Sequence, residues 1–379
     1  VRNLALLNAD IDVLALCTHH ENCNPEEMMQ KWQIKNITII RRSLPQHTLP
    51  KALYYLKQFL FSPTSPLTIS SFCQPLLQTQ IREYLTTDRW DYLVLDGLHN
   101  AGVLLQGNEL YRPPNVGKII YRAHNIERDL WLRSAEQQTN LLARKFLQYQ
   151  AGKMEAFEKL VLRSADLIAA ISTEDELEIA KISPDTKTIL IPPGLDFHTE
   201  LNPIPTENPP HFILFLGRMD WPPNRDGLRW FLEQVWPEIT PQRDDLHLLI
   251  AGVGNHNWLK KYLPIKNATF LGFVDSVTPL YAKVIATIIP VFYGSGTRIK
   301  VIESIRFQRP CISTDLGMQG STLSPDLYLQ ANNQREWIDT LLSLQPSLLP
   351  QIAHKAFLCL QQTYDERKVA QKFLDQLTL

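Results

Sequence analysis

The sequence predicts an α/β chain built as two doubly wound domains that face each other, and three observations lead there. Apolar runs of strand length alternate with helical stretches through both halves, as in parallel sheets covered on both faces. A span from Leu201 to Pro210, with four prolines in ten residues, separates the halves as an extended, stiff connector. The 379 residues are enough for two domains, each with its own core.

In chain order, the first half offers strands at Ile11 to Cys17, Asn36 to Ile40, Tyr92 to Asp96, Lys118 to Tyr121, Leu167 to Ile171 and Thr188 to Ile191. The long helical stretch from Asn140 to Arg163 mixes Leu142, Phe146, Phe157 and Leu160 with Arg144, Lys145, Lys153 and Lys159, and is assigned to core packing rather than to a membrane surface. Ser172, followed by Glu174, Asp175 and Glu176, reads as a helix cap with an acidic first turn rather than as a nucleophile. The second half resumes with strands at Phe212 to Leu216, His247 to Ala251, Thr269 to Leu271, Val284 to Val291 and Cys311 to Ser313. A last helix is expected near Asp365 to Leu377. The expected division is 1–195, a linker at 196–210, a second domain at 211–362, and a C-terminal helix at 363–379 that can pack back on the first domain.

Charge excludes several classes of partner. Net charge is -1, and the halves are balanced, with 21 basic and 21 acidic residues up to Pro193 against 17 and 18 after it. No basic lobe exists, so no nucleic-acid partner is expected, and peripheral membrane contact has no support from charge. Five dispersed cysteines, Cys17, Cys23, Cys73, Cys311 and Cys359, point to reduced thiols and a cytoplasmic setting, with the inner membrane face left open. No run approaches the length of a membrane-spanning helix, and no charged-then-apolar leader is expected from the residues given.

The segment Ile289 to Gly317 carries the most chemistry. Gly294, Ser295, Gly296 and Thr297 form a glycine-rich turn that opens a helix with periodic Ile299, Ile302 and Ile305, where free N–H groups suit a phosphate. Arg298 and Lys300 add positive charge, and Glu303, one turn inside, can chelate a vicinal diol. The plainer alternative is a shaped turn followed by a solvated Lys300–Glu303 pair. Of the 15 glycines, ten fall at or after Gly194, and most sit just past a strand, where open parallel sheets bind ligands. Gly217 and Arg218 follow such a strand, so Arg218 can hold two diphosphate oxygens or form a surface ion pair. Trp230 and Phe231, on the amphipathic helix that follows, read as core.

These residues resemble the retaining, GT-B-fold glycosyltransferases of family 4, the glycosyl transferases group 1 type. The likeness covers nearly the whole chain and rests on YRAHNIERDLW, RSADLIAAIS and IPPGLD in the first half, and on LGRMDWPPNRDGLRWF, FLGFVDSVTPLYA and GSGTRIKVIESIRFQRPCISTDLG in the second. It implies two Rossmann-like domains around a central cleft, and transfer of a hexosyl group from a nucleotide-diphosphate sugar to a glycan or lipid-linked hydroxyl, with retention and without metal or other cofactor. It further implies that Gly217, Arg218 and the amides of Gly294 to Thr297 hold the diphosphate, that Glu303 binds the ribose, that the backbone around Phe273 and Val274 meets the base, and that His124 contacts the sugar. His124, Arg218 and Glu303 are the expected catalytic set.

The chain departs from the family pattern at several points. Ser295 stands where a first glutamate is common, Asn224 where a lysine follows the Gly-Arg pair, and Pro192 to Gly194 read PPG in place of Pro-Asn-Gly. Arg298 or Lys300 is expected to supply the charge that Asn224 lacks. A first strand and glycine-rich loop ahead of the helix at Arg2 to Leu7 are absent, which is expected to reflect a truncated sequence. The cluster Cys17, His19, His20 and Cys23 matches no zinc spacing and defaults to a solvated loop. Asp10 and Asp12 precede their strand and so lie opposite the ligand edge, away from any diphosphate. Asp96 and Glu127 are further carboxylates without a partner at glycosidase spacing. Two other readings stay open: a non-catalytic nucleotide-sugar-binding subunit, and a nucleotide-sugar epimerase, which needs an acid and base pair that is not evident.

Overall fold

The structure is a computed structural model that describes residues 1–18, 23–42, 65–136, 138, 140–199, 202–294 and 298–377. The chain divides into two compact units, Val1–Pro192 with Ala370–Leu379, and Pro193–Val369. The expected linker at 196–210 thus lies within the second unit.

In unit 1 the strands are β1 (Asp12–Thr18), β2 (Asn36–Arg42), β3 (Trp90–Asp96), the short antiparallel pair β4 (Leu105–Gln106) and β5 (Glu109–Leu110), β6 (Val116–Ala123), β7 (Leu167–Ala170) and β8 (Thr188–Leu190). β1 pairs in parallel with β2, and a separate parallel sheet runs β3-β6-β7-β8. Leu95, Ile119, Tyr121 and Ile168 from this sheet, with Leu77, Ile81 and Leu85 of α1 (Pro75–Thr86), form a closed apolar core.

Helix starts in unit 1 follow their caps. Asn140 accepts from the N–H groups of Leu142 and Ala143 to open α3 (Leu141–Ser164), and Ser172 Oγ accepts from Asp175 N to open α4 (Thr173–Ile182). Ahead of α3, α2 (Glu127–Glu136) begins on a buried carboxylate. Glu158 takes the N–H of Glu127 at 2.8 Å, and burial pushes its carboxyl up to about 7. Phe157 of α3 is buried as expected and Leu160 packs part-buried against the core, joined by Met154 and Val161, but Leu142 and Phe146 are exposed, which corrects their assignment to the core. A helix of 24 residues is about 36 Å long and outruns the layer it covers.

A second correction concerns the thiols. Cys17, at the end of β1, is joined to Cys23 in a disulfide, while Cys73, Cys311 and Cys359 are free. An odd total says nothing against one local pair when a strand end and the next helix start are six residues apart. The disulfide removes the argument from reduced thiols to a cytosolic setting. It also engages both sulfurs of the Cys–His cluster, whose His19 and His20 lie outside the described residues.

Unit 2 carries one parallel sheet in the order β11-β10-β9-β12-β13-β14, formed by β9 (His211–Leu216), β10 (Leu246–Ala251), β11 (Ala268–Gly272), β12 (Val284–Ile289), β13 (Cys311–Ser313) and β14 (Leu329–Gln330). This doubly wound order reverses direction between β9 and β12, opening a crevice at their carboxyl ends. α5 (Pro222–Trp230) follows β9, α6 (Thr278–Lys283) precedes β12, and α7 (Ile299–Arg306) follows it. Phe231 is fully buried, and Trp230 packs edge-on against Phe292 at 4.6 Å, so both belong to the core as expected.

The proline-rich connector is held to this unit. Arg309, buried, donates to the carbonyls of Tyr281, Phe307 and Gln308 at 2.7, 3.0 and 3.2 Å, and to those of Asn202 and Pro203 at 3.0 and 3.2 Å. Arg306 Nε donates to the carbonyl of Asp196. α8 (Leu349–Tyr364) closes the core beneath α7, with Phe357, Leu360 and Tyr364 against Val301, Ile302 and Ile305, and Phe357 meets Phe197 at 5.2 Å. Among the described residues no helix is long and apolar enough to cross a membrane.

Candidate functional site

The crevice between β9 and β12 gathers most of the residues singled out in unit 2. β9 ends at Leu216 because Gly217 follows, and Gly217 is needed for a close approach: a Cβ there would lie 2.7 Å from Asn224 Nδ2. Arg218 comes next, exposed, and grips Asp220 in a fork, Nε to Oδ1 at 3.1 Å and Nη2 to Oδ2 at 3.0 Å. The ion-pair alternative for Arg218 is thus realised in this state. Asp220 was not among the expected site residues, although its place two residues on, in GRMD, was readable.

Asn224 and Lys300, both expected to touch ligand, touch each other. Asn224 is buried at the start of α5; its Nδ2 donates to the Arg218 carbonyl at 3.2 Å and its Oδ1 accepts from Lys300 Nζ at 2.6 Å. Lys300 reaches it from the first turn of α7, with Nζ 5.5 Å from the Phe215 ring centre. Burial, then the nearby Arg298 charge, pulls the Lys300 amine down to about 7. Arg298 is buried at the N-cap of α7, and a Cβ built on Gly294, whose φ is +110°, would lie 3.2 Å from its Nη2. Ser295, Gly296 and Thr297, expected to cradle phosphate, lie outside the described residues.

Glu303 sits half-buried one turn into α7. Tyr281 of α6 donates to its Oε2 at 3.4 Å, and burial raises its carboxyl, opposed by Arg306 and by that hydroxyl. The solvated Lys300–Glu303 pair does not form, since Lys300 points to Asn224. Ile302 and Ile305 are buried, but Ile299 is 43% exposed and Val301 takes its expected place in the core. Past β11, Phe273 is 67% exposed while Val274 packs against the core, so of the two only Phe273 offers an open ring.

Unit 1 presents His124 just past β6. Its Nε2 lies 2.7 Å from Asp96 Oδ1 at the end of β3, an oxygen that also accepts from Arg122 Nη1 at 3.1 Å. Asp96 thus has two hydrogen-bond partners, neither of them a second carboxylate. Asp10 and Asp12 lie at the opposite edge, where Asp10 meets Lys35 at 3.4 Å and Asp12 accepts from Tyr84 at 3.1 Å.

Comparison with known proteins bears on the fold and on the family. Residues 210–345 match the family Glycosyl transferases group 1. An uncharacterised 44.6 kDa protein in the cps region of Klebsiella pneumoniae is 22% identical over 317 residues, spanning 77% of this chain and 75% of that protein. Among solved structures, WaaG, a glycosyltransferase involved in lipopolysaccharide biosynthesis, aligns at 16% identity over 99% of this chain and 93% of its own, with a TM-score of 0.62. Anabaena Alr3699/HepE, solved with UDP and glucose, aligns at 12% identity over 99% and 94%, with a TM-score of 0.60. TarM aligns at 15% identity and a TM-score of 0.61 over 80% of this chain, which spans only 58% of TarM. Residues 210–345 therefore carry the likeness to the glycosyl transferases group 1 family, and the chain as a whole has the GT-B fold of these neighbours.

Proposed function

We propose that this chain moves a hexosyl group from a nucleotide-diphosphate sugar to a hydroxyl of a glycan or lipid-linked glycan, with retention at the anomeric carbon and without a metal ion. The observation that carries the reading is the crevice at the switch point of the unit 2 sheet, flanked by Arg218 after β9 and by Arg298, Lys300 and Glu303 after β12. As the glycosidic bond breaks, charge collects on the leaving diphosphate, and a fixed guanidinium meets it without reorganising. Asp220 holds Arg218 until a diphosphate takes over its fork. Glu303, kept in place by Tyr281, takes the ribose diol, and Phe273 offers an apolar face to the base.

Metal independence is supported by the Arg218 and Arg298 guanidinium groups, which keep the positive charge a divalent ion would bring, and by the place of Asp10 and Asp12 at the far edge of β1. Retention is carried over from the family likeness. The relatives point to glycan or polysaccharide biosynthesis: one lies in a cps region, and one was solved with UDP and glucose.

Calorimetric titration with UDP-, GDP- and ADP-glucose in EDTA tests the reading. One donor should bind, and Arg218→Ala and Glu303→Gln should each weaken it by about ten- to a hundredfold, the loss of a charge-assisted hydrogen bond. Wild-type affinity in both variants would sink the site. Donor turnover with an acceptor panel, read by the anomeric coupling of the product, tests transfer and retention.

A further inference from the structure

In unit 1, the Asp96–His124 pair fixes more than a distance. Asp96 lies opposite Arg122 in the β3–β6 register, so His124, two residues on, projects beside the same carboxylate. The His124 hydrogen bond first, and the Arg122 charge next, hold the Asp96 carboxyl down at about 2 against burial, so it is an anion across the neutral range. A carboxylate only accepts, so the ring nitrogen facing it, Nε2, must carry the proton. In a neutral imidazole the other nitrogen, Nδ1, then has only a lone pair.

Space for a ligand lies beside that lone pair. The next residue after Asp96 is Gly97, with φ +91°, and a Cβ there would sit 3.6 Å from Nδ1. With no side chain in that place, the imidazole edge is open, and the His124 side chain is 43% exposed. The charged groups around the ring are Asp96 on β3, Arg122 on β6 and Glu127 at the start of α2, whose carboxyl burial raises.

We propose that Asp96 is a positioning residue that fixes His124 as its Nε2–H tautomer, so that this corner takes a ligand hydroxyl as donor to Nδ1 and rejects groups that can only accept. That the hydroxyl belongs to a sugar rests on the glycosyl-transfer reading; the tautomer does not. Without Asp96 either ring nitrogen can hold the proton, and Arg122 faces the imidazole without its carboxylate.

Long-range proton–nitrogen correlation of the His124 ring, assigned with His124→Gln in the full chain at neutral pH without ligand, reads the tautomer directly. The wild type should show protonated Nε2 and bare Nδ1. Asp96→Ala should give a mixture, and Asp96→Glu, which keeps an acceptor-only carboxylate, should restore the wild-type pattern. A protonated Nδ1 or an even mixture in the wild type overturns the proposal. A second arm titrates UDP-glucose and its monodeoxy and monodeoxyfluoro forms, since fluorine cannot donate a hydrogen bond. At one ring position both changes should weaken binding alike, by about five- to tenfold, and by much less in His124→Ala. If the fluoro form binds like UDP-glucose at every position where the deoxy form fails, the acceptor role is overturned. A bare Nδ1 with no binding of UDP-, GDP- or ADP-glucose would support the tautomer and count against the glycosyl-transfer reading.

Discussion

Lys300 shows how one buried amine ties the donor crevice together. Through Asn224 it reaches the carbonyl of Arg218, linking the start of α7, the start of α5 and the turn after β9. Its folded value of about 7 lies below the ordinary lysine value of about 10.4, which makes it a pH-dependent burden. Below about pH 7 both folded and unfolded chains hold the proton and the full cost of burying it is felt. Between about pH 7 and 10.4 the unfolded chain binds a proton that the folded chain has shed, so stability rises with pH. Lys300→Met should therefore be most stabilising, relative to wild type, at pH 6, and that difference should fall by on the order of 4 kcal/mol by pH 10. Urea unfolding of both proteins at pH 6, 8 and 10 checks this; a constant difference would refute it. The sequence marked Lys300 as a charge beside the turn that opens α7, and Asn224 as the residue standing in place of a lysine. It could not show that they face each other across 76 positions, because that depends on how α5 and α7 meet over the sheet.

At the scale of elements, the contact between α5 and the end of β12 is the tightest constraint on the crevice. A Cβ on Gly227 would fall 1.6 Å from the carbonyl oxygen of Pro290, so the helix lies directly on the backbone that follows the strand. Read alone, a glycine inside RDGLRW counts as a weak spot costing about 1 kcal/mol against alanine. Here the preference is reversed. Gly227→Ala should destabilise by about 3 kcal/mol or more through forced separation, and lower the melting temperature of unit 2 by about 10 °C in calorimetry. An unchanged transition would mean that the helix can lift at no cost. Strand positions were otherwise readable, because FILFL, LHLLIA and VIATII are continuous apolar runs of strand length. Leu329–Gln330 was not readable, since two residues carry no period. The exposure of Leu142 and Phe146 was also hidden, because periodicity shows which face of a helix is apolar but not where the covering layer ends.

For the whole molecule, alternation of strand and helix was enough to give two α/β units, and the prolines marked the neighbourhood of their junction. The chain crosses between units at Pro192/Pro193 and again at Val369/Ala370. What composition could not show is which side the connector belongs to, since that is decided by Arg309 and its hydrogen bonds to Asn202 and Pro203. A fragment spanning 193–369 should unfold in one cooperative transition, whereas a fragment cut to the family match at 210–345 should bind a hydrophobic dye and melt without cooperativity. Comparable transitions from both would show that Arg309 and α8 add nothing. The shorter piece leaves a buried guanidinium without two of its five carbonyl partners and strips Phe197, Phe357, Leu360 and Tyr364 from beneath α7. The stretch by which the family is recognised is thus smaller than the stretch that must fold. The residues that brace Glu303 from below therefore lie outside the matched stretch, so a loss of volume in α8 would loosen the crevice without touching any residue that lines it.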